Sequence, residues 1–413
     1  MKTNKLNIIF LLMLTLTLSG CLKDLRESDF SDENLSSTIN VEVKIPQGYD
    51  YSLAGLVVKL TDPSTGLYFE GVTDESGVAS VKVAHGSYIA TTEFKKNEAG
   101  GTILIFNGTT DQIRVTPVDA SVVNQDLPLN VSRSGQIVIK EFYFAGRINP
   151  ETGKKYSDDQ YIILYNNSGD VAYLDSLCVG VADPWNALTN GRVSHWVKPN
   201  SNELRDSVPN IGIGWMFPGT GRDNPLQPGE EIVISLNAIN HLESVPSSVN
   251  LGLPGYWALY DPILTSRQSV PEPGVNLLEG FWKVGLAPMY VVSKTSPALF
   301  IYNLGGKSTE QFVEDTFTLN PRYSNRYFDV LMVDKNSVLD GVECFRNSTD
   351  TKRFRPEIDN GFVMIDAAGQ GQSVHRKIDQ EATAAAGGRI VYMDTNNSSN
   401  DFEVRDVASL LNN

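Results

Sequence analysis

Only three cysteines and four histidines occur in the 413 residues, and that scarcity removes whole classes of chemistry. Two cysteines beyond the first are too few for a disulfide scaffold, and no Cys-x-x-Cys pair exists for structural zinc. His85, His195, His241 and His375 stand far apart, without a His-Glu-x-x-His or any pair at metal-ligand spacing on one element. No metal and no cofactor are therefore expected. Phosphate-binding loops and dinucleotide fingerprints are missing as well. Beyond the first twenty residues, nothing approaches the 18 or so consecutive apolar residues of a membrane-spanning helix. Basic residues are outnumbered 34 to 49, for a net charge of -15. An acidic body repels nucleic acid at long range, so no nucleic-acid partner is expected.

What is present begins at the amino terminus. Lys2 and Lys5 precede an unbroken apolar or Thr stretch from Ile8 to Leu18, and Leu18-Ser19-Gly20-Cys21 follows. A positive head, a short apolar stretch and small residues before a cysteine describe a signal peptide over residues 1–20. The Leu-Ser-Gly-Cys ending resembles the lipobox of bacterial lipoproteins. That resemblance implies acylation of Cys21, removal of the preceding peptide and a membrane anchor of several acyl chains. Loss of Lys2 and Lys5 would move the net charge to -17. Residues 21–38 then read as an acylated cysteine and a disordered polar leash, too polar to bury a core. Lys23-Asp24, interrupted by Leu22 and Leu25, partly resembles the export signal of surface lipoproteins in Bacteroidetes. The expected location is the outer membrane, on the cell surface in preference to the periplasmic face.

From Ile39 onward, Gly, Pro, Phe and Tyr outweigh runs of strong helix formers, which favours strands and turns. Ile39, Val41, Val43 and Ile45 alternate with polar residues, the period of a half-buried strand. Further short strands, separated by turns such as Asp62-Pro63-Ser64-Thr65-Gly66, predict one β-sandwich over residues 39–132. Leu56-Val57-Val58-Lys59-Leu60, the turn Thr73-Asp74-Glu75-Ser76-Gly77 and Gly86-Ser87-Tyr88 resemble the carboxypeptidase-regulatory-like or collagen-adhesin-B-like sandwich. The resemblance implies a stalk or spacer without an active site.

Residues 136–413 again open on strands. Ile139-Lys140-Glu141, then Ile163-Leu164-Tyr165-Asn166, then Pro228-Gly229 before Ile232-Val233-Ile234 resemble the lamin-tail-like immunoglobulin sandwich, although the second strand lacks the usual Glu. That fold needs about 110 residues, so large loop-rich insertions are expected. The combination resembles an uncharacterised Bacteroidetes lipoprotein family, of the domain-of-unknown-function 4876 type. Ala238-Ile239-Asn240-His241, Val338–Glu343, Gly371–Lys377 and Asp394–Ser398 are the supporting segments. The fold class is thus mainly all-β, with two immunoglobulin-like sandwich modules.

Candidate sites are few. Cys178 and Cys344 either form one disulfide in an oxidising compartment or are two small buried residues. Trp185, Trp196, Trp215 and Trp257 fall between the lamin-tail-like strands. Exposed, they would stack on sugar rings or anchor a partner; buried, they would form the core of an inserted subdomain, the reading we favour. Ser373 with His375 lacks a nucleophile elbow. The acidic pairs Asp158-Asp159, Glu230-Glu231 and Asp340 with Glu343 are the material for a hydrolase, yet 49 acidic residues produce such pairs by chance. Asp394–Asp401 has the alternating oxygens of a calcium loop but neither its Gly nor its final Glu, and reads as a polar turn. Asp175-Ser176-Leu177 and Asp206-Ser207-Val208 resemble the O-glycosylation acceptor pattern of Bacteroidetes.

No catalytic residues are expected. The sequence reads as a lipid-anchored, non-catalytic binding or accessory protein of the cell envelope. Its expected partner is an outer-membrane TonB-dependent transporter; the alternatives are a surface glycan- or matrix-binding adhesin and an envelope hydrolase.

Overall fold

The computed structural model describes residues 36–412, apart from 64, 98–102, 117–121, 184–185, 187–194, 265–267, 284–289, 291, 317, 320–321, 324–325, 328–329 and 366. The signal peptide, Cys21, nearly all of the leash and Trp185 therefore lie outside the described residues. The chain divides into two compact units. One takes the described residues up to Thr92 together with Gly108–Leu129; the other takes Glu93–Asn107 and everything from Asn130.

In the first unit, alternation is obeyed strand by strand. Ser36–Lys44 buries Ile39, Val41 and Val43 and turns Lys44 to solvent. It pairs antiparallel with Val78–Ala84 (Ile39↔Val81) and parallel with Val122–Pro128 (Ile39↔Val123). Facing strands Val57–Thr61 and Tyr68–Val72 pair through Lys59↔Glu70, and Leu60 also lies opposite Ala90. The marks of the regulatory-like sandwich have local causes. Asp74 accepts from the Ser76 and Val78 amides at 2.8 and 3.1 Å, closing an Asx turn. Gly77 completes it at φ 80°, which a side chain would resist. Tyr88 donates from its hydroxyl to the Ala84 carbonyl at 2.9 Å, pinning the start of its strand.

The second unit is a sandwich of two larger sheets. One runs Asn276–Leu277, Trp257–Ala258, Glu231–Ser235, Tyr161–Asn166, Ile137–Tyr143, Ser373–Arg376 and Phe402–Arg405. The other runs Glu279–Lys283, Ile213–Met216, Cys178–Val181, Ala298–Tyr302, Val338–Phe345 and Val363–Met364. Between them lies a core that includes Ile139, Phe142, Ile162, Leu164, Val179, Ile234 and Val342. A second apolar cluster, with Phe300, Tyr302, Phe312, Leu331 and Phe354, covers the outer face of the six-stranded sheet. That sheet is buried on both faces, which is why Ala298–Tyr302 is an unbroken apolar run with no alternation to read. The protein is mainly β, built from sandwich modules.

The lamin-tail-like marks also have physical reasons. Asn166 ends its strand by donating to the carbonyls of Asp170 and Leu226, both at 2.8 Å, and accepts from the Ser168 amide. Gly229, at φ 86°, makes the turn that leads into Glu231–Ser235.

One residue ties the two large sheets together. Arg376 is almost wholly buried and donates to the Ile139 carbonyl at 2.8 Å, to Asp340 at 2.5 Å and to Asp394 at 3.3 Å. Asp340 belongs to the six-stranded sheet and also accepts from the Ile139 amide at 2.7 Å. The stretch resembling a calcium loop is absorbed into this network. Asp401 accepts from the Thr395 amide and hydroxyl at 2.9 and 2.7 Å, and lies 3.7 Å from Arg376. Its oxygens are turned inward onto the chain, as in the polar-turn reading.

Candidate functional site

The described candidate tryptophans, Trp196, Trp215 and Trp257, are core residues. Trp215 is 0%, Trp196 3% and Trp257 7% exposed. Trp215 and Trp257 sit between the two large sheets, and Trp196 sits in the outer cluster. Trp215 meets Tyr290 edge-on, with centroids 5.5 Å apart, Trp257 meets Phe217 at 4.8 Å, and Trp196 meets Phe354 at 5.8 Å. This corrects their candidacy as ligand-stacking residues, because a ring enclosed by protein has no face left for a sugar. It also divides them between two layers, where a single inserted core was expected.

The candidate disulfide is corrected too. Cys178 and Cys344 are both free and buried. Cys178 lies opposite Tyr302 with its side chain in the outer cluster, whereas Cys344 lies near the other end of the neighbouring strand with its side chain in the central core. Two strand spacings across and about five residues along separate the Cα atoms by roughly 19 Å, far beyond the reach of a disulfide. Facing opposite ways from one sheet, they cannot meet without unfolding it.

The acidic pairs proposed for hydrolysis are spent on structure. Glu343 accepts from the Asn186 side chain at 2.5 Å and the Arg353 amide at 2.8 Å, and pairs with Lys352. Glu231 pairs with Lys140, and Glu230 accepts from the Gln227 amide at 2.8 Å. Ser373 and His375 are buried on one strand, and the His375 Nδ1–H donates to its neighbour's carbonyl at 2.7 Å. Burial pushes that imidazole down to about 4, so it is neutral at pH 7.

Asp158 is half-buried, whereas Asp159 beside it is wholly buried. It accepts from Ser248 Oγ at 2.6 Å and lies 3.3 Å from the Tyr143 hydroxyl, yet burial dominates and lifts its pKa to about 6. A carboxyl whose folded pKa exceeds its unfolded value of about 3.9 binds its proton more tightly when folded. Its share of stability is present at low pH and is lost as pH rises through 6. Urea unfolding at pH 4.5 and 7.5 tests this: the pH-dependent loss should be smaller by about 2 kcal/mol in Asp159→Asn. An identical slope in both proteins would refute the assignment.

Open surface suited to a ligand occurs on either side of the turn Asn303–Lys307. One cleft, of about 330 Å³, is bounded by Gln136, Ile137, Tyr173, Asp175, Ser176 and Lys307. The other, of about 400 Å³, is bounded by Arg205, Asp206, Ser207, Phe312, Asp315 and Asp334. Both glycosylation-like serines thus line clefts; Ser176 is exposed at φ 62°. Gly305 and Gly306 take φ of 63° and 76°, so this turn depends on glycine. The helix that follows, Thr309–Asp315, is closed by a capping box between Ser308 and Gln311.

The four carboxylates around these clefts are committed elsewhere. Asp175 accepts from the amides of Gly221, Asp223 and Asn224 at 3.2, 2.9 and 2.9 Å. Asp206 lies 3.3 and 3.5 Å from Lys335 and Arg355, Lys307 binds Asp315 at 2.8 Å, and Asp334 caps the turn Lys335–Ser337. Such walls can hold a ligand by shape and by mixed polar and apolar contact. Among the described lining residues there is neither a histidine nor a cysteine to move a proton or attack a substrate. Sequence reasoning missed both clefts, because their walls come from five separated segments. The Gly305-Gly306 pair was the one local signal available.

Comparison with known proteins places this architecture. Residues 227–409 match the family model described as "Protein of unknown function (DUF4876)". The supporting segments Ala238–His241, Val338–Glu343, Gly371–Lys377 and Asp394–Ser398 all fall inside that span. A solved DUF4876 family protein from Bacteroides thetaiotaomicron VPI-5482 is 24% identical, covering 89% of this chain and 94% of its own, with a TM-score of 0.54. That likeness is one of fold. A DUF3823 family protein from Parabacteroides merdae ATCC 43184 is 13% identical over 36% of this chain and 66% of its own, with a TM-score of 0.16, and carries no argument. No curated protein matches the chain.

Proposed function

Since residues 227–409 match the DUF4876 family model, we propose that this chain is a lipid-anchored, non-catalytic binding protein of the cell envelope. Cys21 is the anchor, the outer membrane its location with the body displayed at the cell surface, and an outer-membrane TonB-dependent transporter its partner. The observation that carries the reading is the state of the acidic groups: each carboxylate around the open clefts is already held by an amide, a lysine or an arginine. A hydrolase needs two carboxyl groups free to face a substrate and exchange protons with it. A binding surface needs only a shaped, mixed-polarity wall, which these clefts supply. The lipobox-like Leu18-Ser19-Gly20-Cys21 supports the anchor, and the acidic body suits a domain held soluble above a membrane.

The test is an affinity pull-down of the tagged, acylated protein from gently solubilised outer membranes, identified by mass spectrometry. A stoichiometric barrel protein is the expected result, and its yield should fall when Gly305→Val and Gly306→Val distort the turn between the clefts. Recovery of the lipoprotein alone would overturn the transporter assignment.

A further inference from the structure

A different face of the second unit already holds a peptide. Strands Ile137–Tyr143, Tyr161–Asn166 and Glu231–Ser235 present Tyr143, Tyr161, Ile163 and Val233 side by side, and Val249 and Leu251 extend this apolar surface. Across it lies the segment Ala408–Leu411, with Ala408 fully buried and Leu410 and Leu411 half-buried. Two consecutive backbone N–H groups of this segment are read by side chains. Ser409 donates to Glu141 Oε1 at 2.9 Å, and Leu410 donates to the Tyr161 hydroxyl at 3.2 Å, which itself donates to Glu141 at 3.2 Å.

The fit is incomplete at one atom. Glu141 is wholly buried, and its Oε2 accepts no hydrogen bond from the described residues. Asp359, another buried carboxylate of this unit, is better supplied: it accepts from the Gly361 amide, the Ser398 amide and hydroxyl, and the Glu343 amide. An enclosed, unpaired carboxylate oxygen is destabilising, because it has given up its water without gaining a donor. His375 lies directly opposite Glu141 on the adjoining strand, but burial keeps its imidazole neutral, and it offers no positive charge.

We propose that this groove is a peptide-recognition site occupied in cis by Ala408–Leu411. Its partner in trans is a segment that presents two consecutive N–H groups ahead of two leucines, together with a cationic side chain for Glu141 Oε2. Such a segment reproduces the amide contacts to Glu141 and Tyr161 and adds a charge-assisted hydrogen bond to an enclosed anion, so it competes with the cis segment. The inference goes beyond the cleft-based reading above, and a failed pull-down would leave it standing.

The test uses the full chain and a fluorescent synthetic peptide, Val-Ala-Lys-Leu-Leu-Asn, with the native Val-Ala-Ser-Leu-Leu-Asn as comparison. Saturable binding is expected, about tenfold tighter for the lysine peptide. Hydrogen exchange should quicken at the Ser409 and Leu410 amides when the peptide is added, while the core amides of Ile163 and Val233 stay protected. Glu141→Leu should abolish the lysine peptide's advantage. Should that variant fold poorly, Tyr161→Phe removes one acceptor and should quicken Leu410 exchange about threefold to tenfold with the core unchanged. Absence of saturable binding, or binding that leaves Ser409 and Leu410 exchange untouched, would overturn the proposal.

Discussion

Arg376→Met is expected to destabilise the second unit by about 4 kcal/mol, the scale of breaking a buried ion pair by removing one partner. The wild-type guanidinium faces Asp340, Asp394 and Asp401, and all three are nearly or fully buried. Methionine fills much of the volume and returns no charge, so three carboxylates remain in a low-dielectric site without their cation. The sign of the pH response then follows. Burial already holds Asp340 and Asp401 above the usual carboxylate range, and loss of the arginine raises them further, so the variant loses stability as pH rises and regains it on acidification. Chemical denaturation from pH 7.5 down to 5 measures both effects. A second variant, Arg376→Met with Asp340→Asn, should recover part of the loss, because it removes one unpaired charge. A loss below 1 kcal/mol at pH 7.5 would mean that the arginine does not hold these sheets together.

The second large effect is expected at Trp215. Replacing a fully enclosed tryptophan by alanine should cost about 3–5 kcal/mol, since the surrounding sheets cannot collapse into the space. On the six-stranded sheet it lies opposite Val179 on one side and Gly280 on the other, and its ring sits in the core between the two sheets with Tyr290 against it. Thermal unfolding of Trp215→Ala and Trp215→Phe should show a large and a smaller fall respectively. A surface tryptophan that stacks on a ligand would behave in the opposite way, with binding lost and the midpoint unmoved. That result would return Trp215 to the list of binding residues.

Several elements could be read correctly before any coordinates because their causes are local. Ile39–Val43 alternates since one face of its strand is wet. Thr73–Gly77 turns since an Asp side chain can close on amides two and four residues later. Asn166 stops its strand through its own short-range hydrogen bonds as well as one to Leu226. Ala298–Tyr302 was legible only as an apolar run, because a strand covered on both faces has no polar side to declare its period. Trp215 shows a related limit: Gly214 beside it makes room for Phe281 inside a strand pairing with a register shift, an arrangement that no local spacing declares.

By itself the sequence determined the β character and carried the resemblance to the DUF4876 family and the expectation of an anchor at Cys21, because those depend on residues within a few positions of one another. Tertiary structure alone decided which groups are free to act. Glu141 meets Ser409 across 268 residues, and Arg376 meets Ile139 across 237. Whether a carboxylate is saturated, a tryptophan enclosed or a cysteine within reach of another depends on pairings of that range. Composition and spacing leave such pairings open, since many partners of equal chemistry exist along the chain. Packing selects one of them.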